Sequence, residues 1–204
     1  MTVIAAIRTP TSILIGGDSA ETNREGSIML LAEPKVFRKG EYLFGFAGTG
    51  CLENIAKNQF SPPCRPTGNS WEQFMDTSFV PGLKAALGDD SYLMSGAQVL
   101  IGTRGGGIYT LDGSWRMSQS RERYAAIGSG TSYALGSFHS TGGNPRQRLL
   151  KALRAAAHFN AYVRPPFTIL ELPEEGPLEE QFWDNTENIP DFSTIFAVDP
   201  DDRG

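Results

Sequence analysis

Residues 1–20 read MTVIAAIRTPTSILIGGDSA, and this stretch decides the fold class. Val3 to Arg8 is a short apolar run closed by Thr9-Pro10. Ser12 to Ile15 is a second, closed by Gly16-Gly17-Asp18. Runs this short, bounded by Gly and Pro, read as strands, because a helix needs a longer segment of helical periodicity. The pattern then repeats along the chain. Lys35 to Arg38 and Tyr42 to Ala47 flank Lys39-Gly40-Glu41 as a hairpin. Ala97 to Thr103 and Ile108 to Leu111 flank a run of three glycines as a second hairpin. Arg123 to Ile127 leads into Gly128-Ser129-Gly130, and Phe167 to Leu172 is a last strand. Residues 19–34 are polar and read as a loop.

Helical segments lie between these strands. Gly48-Thr49-Gly50 opens a helix running to about Gln59. Trp71, Met75 and Phe79 recur at helical spacing, with Asn69 or Ser70 available as the cap and Pro81-Gly82 expected to kink or split the helix. Residues 131–137 fit a short helix. Asn144-Pro145 starts a longer one, whose apolar face is Leu149, Leu150, Leu153 and Ala157 and whose stop is Pro165-Pro166. Antiparallel hairpins with helices gathered in blocks predict an α+β layered fold, not a Rossmann-type alternation.

The 204 residues are 40% hydrophobic and 20% charged, the balance of one globular unit. No apolar run approaches the roughly 20 residues of a membrane helix, and the N-terminus has no basic segment or cleavage site of a signal peptide. The expectation is a cytoplasmic protein in which Cys51 and Cys64 are free thiols. Two Cys and two His do not make a usual zinc site, and no cofactor is implied. The net charge of -5 is unevenly spread: the last 34 residues hold 11 acidic residues and one Arg, leaving +5 on residues 1–170. That change predicts a body over 1–172 and an acidic extension over 173–204. No basic cluster with interleaved aromatics points to nucleic acid.

Four stretches, Thr2-Val3-Ile4, Gly17-Asp18-Ser19, Lys35-Val36 and Gly45-Phe46-Ala47-Gly48, resemble the bacterial peptidase HslV and the proteasome β subunits. A fifth, Ala126 to Ala134 around Ser129, resembles that family's Gly-Ser-Gly turn and following helix. The resemblance covers about residues 2–172. It implies the four-layer αββα sandwich of the N-terminal-nucleophile hydrolases and assembly of identical subunits into a ring. It also implies a polypeptide substrate and an ATP-dependent unfoldase as partner.

The roles carried over fit the chemistry. Thr2 is the nucleophile, and with Met1 removed its own α-amine, of ordinary pKa about 8, is the base. Lys35 lowers that pKa, and Asp18 holds Lys35. Gly48, where a strand becomes a helix, offers its N–H to an oxyanion, and Ser129 relays the amine proton. Taken singly these residues have plainer readings: Asp18 shaping a turn, Lys35 on a strand surface, Gly128-Ser129-Gly130 an ordinary turn without the residues of a nucleotide loop. The family's supporting acid, counted back from Tyr162, falls on His158, and a family serine falls on Ala161. Its substrate pocket falls near Glu21, Thr22, Glu33 and Phe46, and two carboxylates there would favour Lys or Arg. Two functions stay open: a threonine peptidase, or an assembly protein of the same fold without catalysis. The extension carries Phe182, Trp183, Ile189, Phe192, Ile195 and Phe196, which predict that it packs on a body, its own or a neighbour's.

Overall fold

The computed structural model describes residues 1–174, except Arg24 and Thr49, and the backbone of 182–185. Two five-stranded antiparallel sheets face each other. The first contains β1 (Ile4–Arg8), β2 (Ser12–Gly17), β10 (Tyr124–Ile127), β11 (Phe167–Pro173) and β12 (Phe182–Asn185), in the order β10-β1-β2-β11-β12. The second runs β5 (Val36–Lys39), β6 (Tyr42–Ala47), β7 (Gln98–Thr103), β8 (Gly107–Leu111) and β9 (Met117–Gln119), neighbours in sequence order. Ile4, Ala6, Ile13 and Ile15 of one sheet meet Val36, Leu43, Leu100 and Ile108 of the other in the central core. The strands are buried on both faces, which explains why their sequences are apolar runs and not alternations.

A helical layer covers each outer face. α4 (Thr131–Ser140) and α5 (Pro145–Phe159) pack Ala134, Phe138, Leu149, Leu153 and Ala156 against Val3, Ala5 and Ile169 of the first sheet. α1 (Gly50–Asn58), α2 (Trp71–Phe74) and α3 (Val80–Leu87) pack Leu52, Phe74, Leu83 and the neighbouring Phe79 against Phe44, Val99 and Ile101 of the second. Each of the fully buried Val, Leu, Ile and Phe side chains among these contributes roughly 1.5–3 kcal/mol by leaving water. The result is the four-layer α+β sandwich expected from the sequence.

Differences from the sequence reading have local causes. Residues 19–34 are not all loop: β3 (Ala20–Thr22) and β4 (Ile28–Leu30) pair as a small separate hairpin. These strands are three residues long and β4 is exposed throughout, so burial leaves no periodic trace in them. Ser70 does cap α2, accepting from Gln73 N at 3.2 Å. Pro81 does not split the following helix. A π-helical turn, Met75–Phe79, widens the ladder just ahead of it, where proline cannot donate to the carbonyl four residues back. α5 ends at Phe159, before the prolines, on the C-cap Asn160. Strands β9 and β12 were not anticipated. β12 pairs Phe182 with Leu170 and Asn185 with Phe167, extending the first sheet. Ile189, Phe192, Ile195 and Phe196, predicted to dock the extension, lie outside the described residues.

Candidate active site

Four loops of the sandwich converge at the start of β1. Thr2 precedes that strand and is 8% exposed. Asp18 follows β2, 1% exposed, and Lys35 precedes β5, 5% exposed. Lys35 Nζ donates to Thr2 Oγ1 at 2.8 Å and to Asp18 Oδ1 at 3.1 Å, and also to the Ala20 carbonyl. The ammonium is thereby fixed against the threonine oxygen by three acceptors.

Asp18 is the hub. Besides Lys35, its Oδ1 accepts from Val3 N at 3.0 Å; its Oδ2 accepts from Ala20 N at 3.1 Å and Arg164 N at 3.4 Å. One carboxylate so joins β1, β2, β3, the approach to β5 and the loop before β11. Burial pushes its pKa above the ordinary carboxylate value, and the Lys35 ammonium and the Val3 and Ala20 N–H groups oppose that shift.

On the other side of Thr2 stands the turn between β10 and α4. Thr2 N donates to Ser129 Oγ at 3.3 Å, and Ser129 Oγ lies 3.4 Å from the Thr2 carbonyl oxygen. Gly130 N donates to the same carbonyl at 3.2 Å. Gly128 has φ 90°, and a Cβ there would collide with the Thr2 carbonyl, so the turn closes on Thr2 only with glycine at its corner. Asn160 completes the set: its Nδ2 donates to Ser129 Oγ at 3.0 Å, while its Oδ1 accepts from Tyr162 N at 3.0 Å.

The N-terminal amine, here that of Met1, has its pKa lowered from 8.0 by burial and then by the Lys35 charge, with Asp18 and Glu21 opposing. Beside it opens a cleft of about 80 Å3 lined by Thr2, Glu21, Thr22, Leu31, Phe46, Gly48 and Glu53, among others. Gly48 has φ 125°, and a Cβ on it would stand 2.8 Å from Ala97 Cα. It sits between β6 and α1, where helix N–H groups have no acceptor within the helix.

The structure therefore brings Thr2, Asp18, Lys35 and Ser129 into one hydrogen-bonded set. Thr2, Lys35, Gly48, Glu21, Thr22 and Phe46 line the cleft. Three residues fall elsewhere. Glu33 is exposed and faces Lys57 at 3.5 Å; the second cleft carboxylate is Glu53, 2.7 Å from the same lysine. His158 is exposed and packs edge-on against Phe159 at 4.7 Å, and Ala161 is exposed too. The residue on Ser129 is Asn160. The count back from Tyr162 fell on His158, two positions short of it. An Asn next to a helix end, where Asn favours caps and turns, was the signal available.

The four-layer sandwich is the fold of one class, the N-terminal-nucleophile hydrolases of the proteasome type. Within that class the chain is similar to HslV: it is 26% identical over 177 residues to the ATP-dependent protease subunit HslV of Caldicellulosiruptor saccharolyticus, covering 84% of this chain and 98% of that one. No protein-family profile matches. BPH of Thiobacillus denitrificans, solved in complex with epoxomicin, superposes with a TM-score of 0.70 at 20% identity over 85% of this chain and all of that one. HslV of Trypanosoma brucei gives 0.63 at 18%, covering 84% and 99%. Anbu of a Hyphomicrobium strain gives 0.67 at 11%, covering 91% and 88%.

Proposed function

We propose that the protein is a threonine-type peptidase that uses Thr2 after Met1 is removed. The observation that carries this reading is the 2.8 Å contact of Lys35 Nζ with Thr2 Oγ1, with Ser129 on the Thr2 nitrogen. While Met1 is attached that nitrogen is an amide and cannot accept a proton. Removal leaves an amine at the same place, one atom from the Thr2 side chain. The amine takes the Oγ1 proton, directly or through one water, and Oγ1 adds to the peptide carbonyl. The Gly48 N–H faces the oxyanion that forms. The ammonium returns its proton to the departing amine, leaving an ester on Thr2. Water, deprotonated by the same amine, hydrolyses the ester and regenerates the hydroxyl. Lys35 favours the neutral amine and damps charge on Oγ1. Asn160 orients Ser129 so that its oxygen faces the amine.

Self-association of identical subunits follows from the same reading. β4 presents Ile28, Met29 and Leu30 at 41%, 61% and 55% exposure beside the cleft, an apolar strand of the kind that assembly covers. The relative from C. saccharolyticus is named as a subunit of an ATP-dependent protease. This chain has no phosphate-binding loop, so ATP would be used by a separate unfoldase that delivers unfolded polypeptide. Among the described residues no helix is long and apolar enough to cross a membrane, and the two cysteines are free; we place the protein in the cytoplasm.

Intact mass of purified protein, before and after incubation with epoxomicin, tests the reading. Loss of one methionine followed by a single stoichiometric adduct is expected. Thr2→Ala is expected to abolish both adduct and peptidase activity while leaving the oligomer unchanged. Full retention of Met1, or equal turnover by the variant, would refute Thr2 as nucleophile.

A further inference from the structure

The end of the sandwich opposite Thr2 holds another cavity, of about 460 Å3. It opens where the chain crosses from β9 of one sheet to β10 of the other, over residues 120–123; the end of β1 and the start of β8 form the rest of its wall. β1 runs from Ile4 to Arg8, so the whole strand separates this cavity from Thr2. Arg8, Arg121 and Arg123 stand in the wall against one carboxylate, Glu122. Arg8 turns its Nε to Glu174 at 3.5 Å, whereas its Nη1 lies over Gly107, where a Cβ would stand 3.4 Å from it. Arg8 N donates to the Arg123 carbonyl at 2.6 Å, which holds the crossover beside β1. Arg121 and Arg123 are exposed, and among the described residues their side chains form no ion pair and no hydrogen bond. Ser120 adds a neutral donor: its Oγ accepts from Glu122 N at 3.1 Å and keeps its own proton to give.

Like charges gathered in one wall without partners repel, and an anion between them relieves the repulsion. A guanidinium presents a planar fork of donors that fits the oxygens of a phosphoryl group two at a time. A cavity of this size admits a small organic ligand, well beyond a single phosphate ion. We propose that it is a binding site for a small molecule bearing a pyrophosphoryl group. Arg121 and Arg123 take the phosphoryl oxygens, Arg8 Nη1 supplies a further donor above Gly107, and the Ser120 hydroxyl supplies a neutral one. A monocarboxylate carries one charge for two unpaired arginines, whereas two linked phosphoryl groups answer both and reach Arg8. The ligand joins β1 and β10 of the first sheet to β8 and β9 of the second. These residues meet only in the folded chain, so binding stabilises the fold by mass action. The site stands apart from Thr2 and needs no turnover there.

Calorimetric titration of the full chain with inorganic pyrophosphate, with ADP and with adenosine tests the site, in magnesium-free buffer at matched ionic strength. Saturable one-to-one binding of pyrophosphate and of ADP is expected, with Kd below about 1 mM, and no binding of adenosine. Tighter binding of ADP than of pyrophosphate would assign the rest of the cavity to the nucleoside; equal binding would make the phosphoryl groups the whole ligand. At a hundredfold excess over Kd the melting temperature should rise by roughly 5–11 °C. Arg121→Ala/Arg123→Ala is expected to weaken pyrophosphate binding about tenfold or more, while melting close to the parent without ligand, since both side chains are exposed. Lys151→Ala/Arg154→Ala removes two exposed cations from α5 and should bind as the parent does. Absence of saturable binding, binding untouched by loss of the two arginines, or an equal loss in both double variants overturns the proposal.

Discussion

Replacing Asp18 by Asn and Lys35 by Met, singly and together, probes the joint on which the site is built. The charges lie 3.1 Å apart with side-chain exposures of 0% and 5%. At an effective dielectric of about 20 their attraction is roughly 5 kcal/mol. Removing one partner strands the other charge, a change that costs about 3–5 kcal/mol for a buried pair. Asn at 18 is worse than neutral. Both carboxylate oxygens face only donors, Val3 N and Lys35 Nζ on one side, Ala20 N and Arg164 N on the other, so either amide orientation sets an NH2 against N–H groups. For a domain of this size roughly 2–4 °C is lost per kcal/mol, so each single variant should melt roughly 6–20 °C below the parent. The double variant has no stranded charge and should be less destabilised than the sum by about 2 kcal/mol or more. Urea unfolding of the four proteins measures this. Additivity within about 0.5 kcal/mol would refute the pair as a coupled unit.

Two further outcomes are expected. Asn160→Asp puts a carboxylate on Ser129, which favours the ammonium form of the Thr2 amine; the acid limb of the kcat/KM profile should move to higher pH than in the parent, whereas Asn160→Ala should lower the rate without that shift. Gly48→Ala brings a Cβ to 2.8 Å from Ala97 Cα at φ 125°; it should cost about 1–3 kcal/mol of stability by thermal melting and should reduce turnover, since the strained backbone moves the N–H.

Much of this site was legible in the sequence because its parts lie where strands end. Thr2, Asp18, Lys35, Gly48 and Ser129 each sit at a boundary marked by glycine, by proline or by the end of an apolar run. The boundaries survive errors of a residue or two because tight turns pin them. Asn160 was harder to place, since α5 ends at a cap without a glycine stop and the prolines that look like its end come later. One of the two cleft carboxylates, Glu33 in place of Glu53, was misassigned for a related reason. Burial does not determine the pairing of β3 with β4, so the register of 19–34 left no trace, and Glu53 enters the cleft only through the rotation of the first turn of α1.

Asp18 ties five stretches of chain, and this alters what its presence can be taken to mean. The carboxylate and its lysine are part of the masonry of the sandwich as much as of any reaction. A protein descended from a peptidase could lose every trace of turnover and still be held to this pair by the need to fold. Asp18 and Lys35 are thus poor witnesses to living chemistry in chains of this shape. Thr2 and Ser129 have less structural work to do, and they are the residues whose presence discriminates a working enzyme from a retired one.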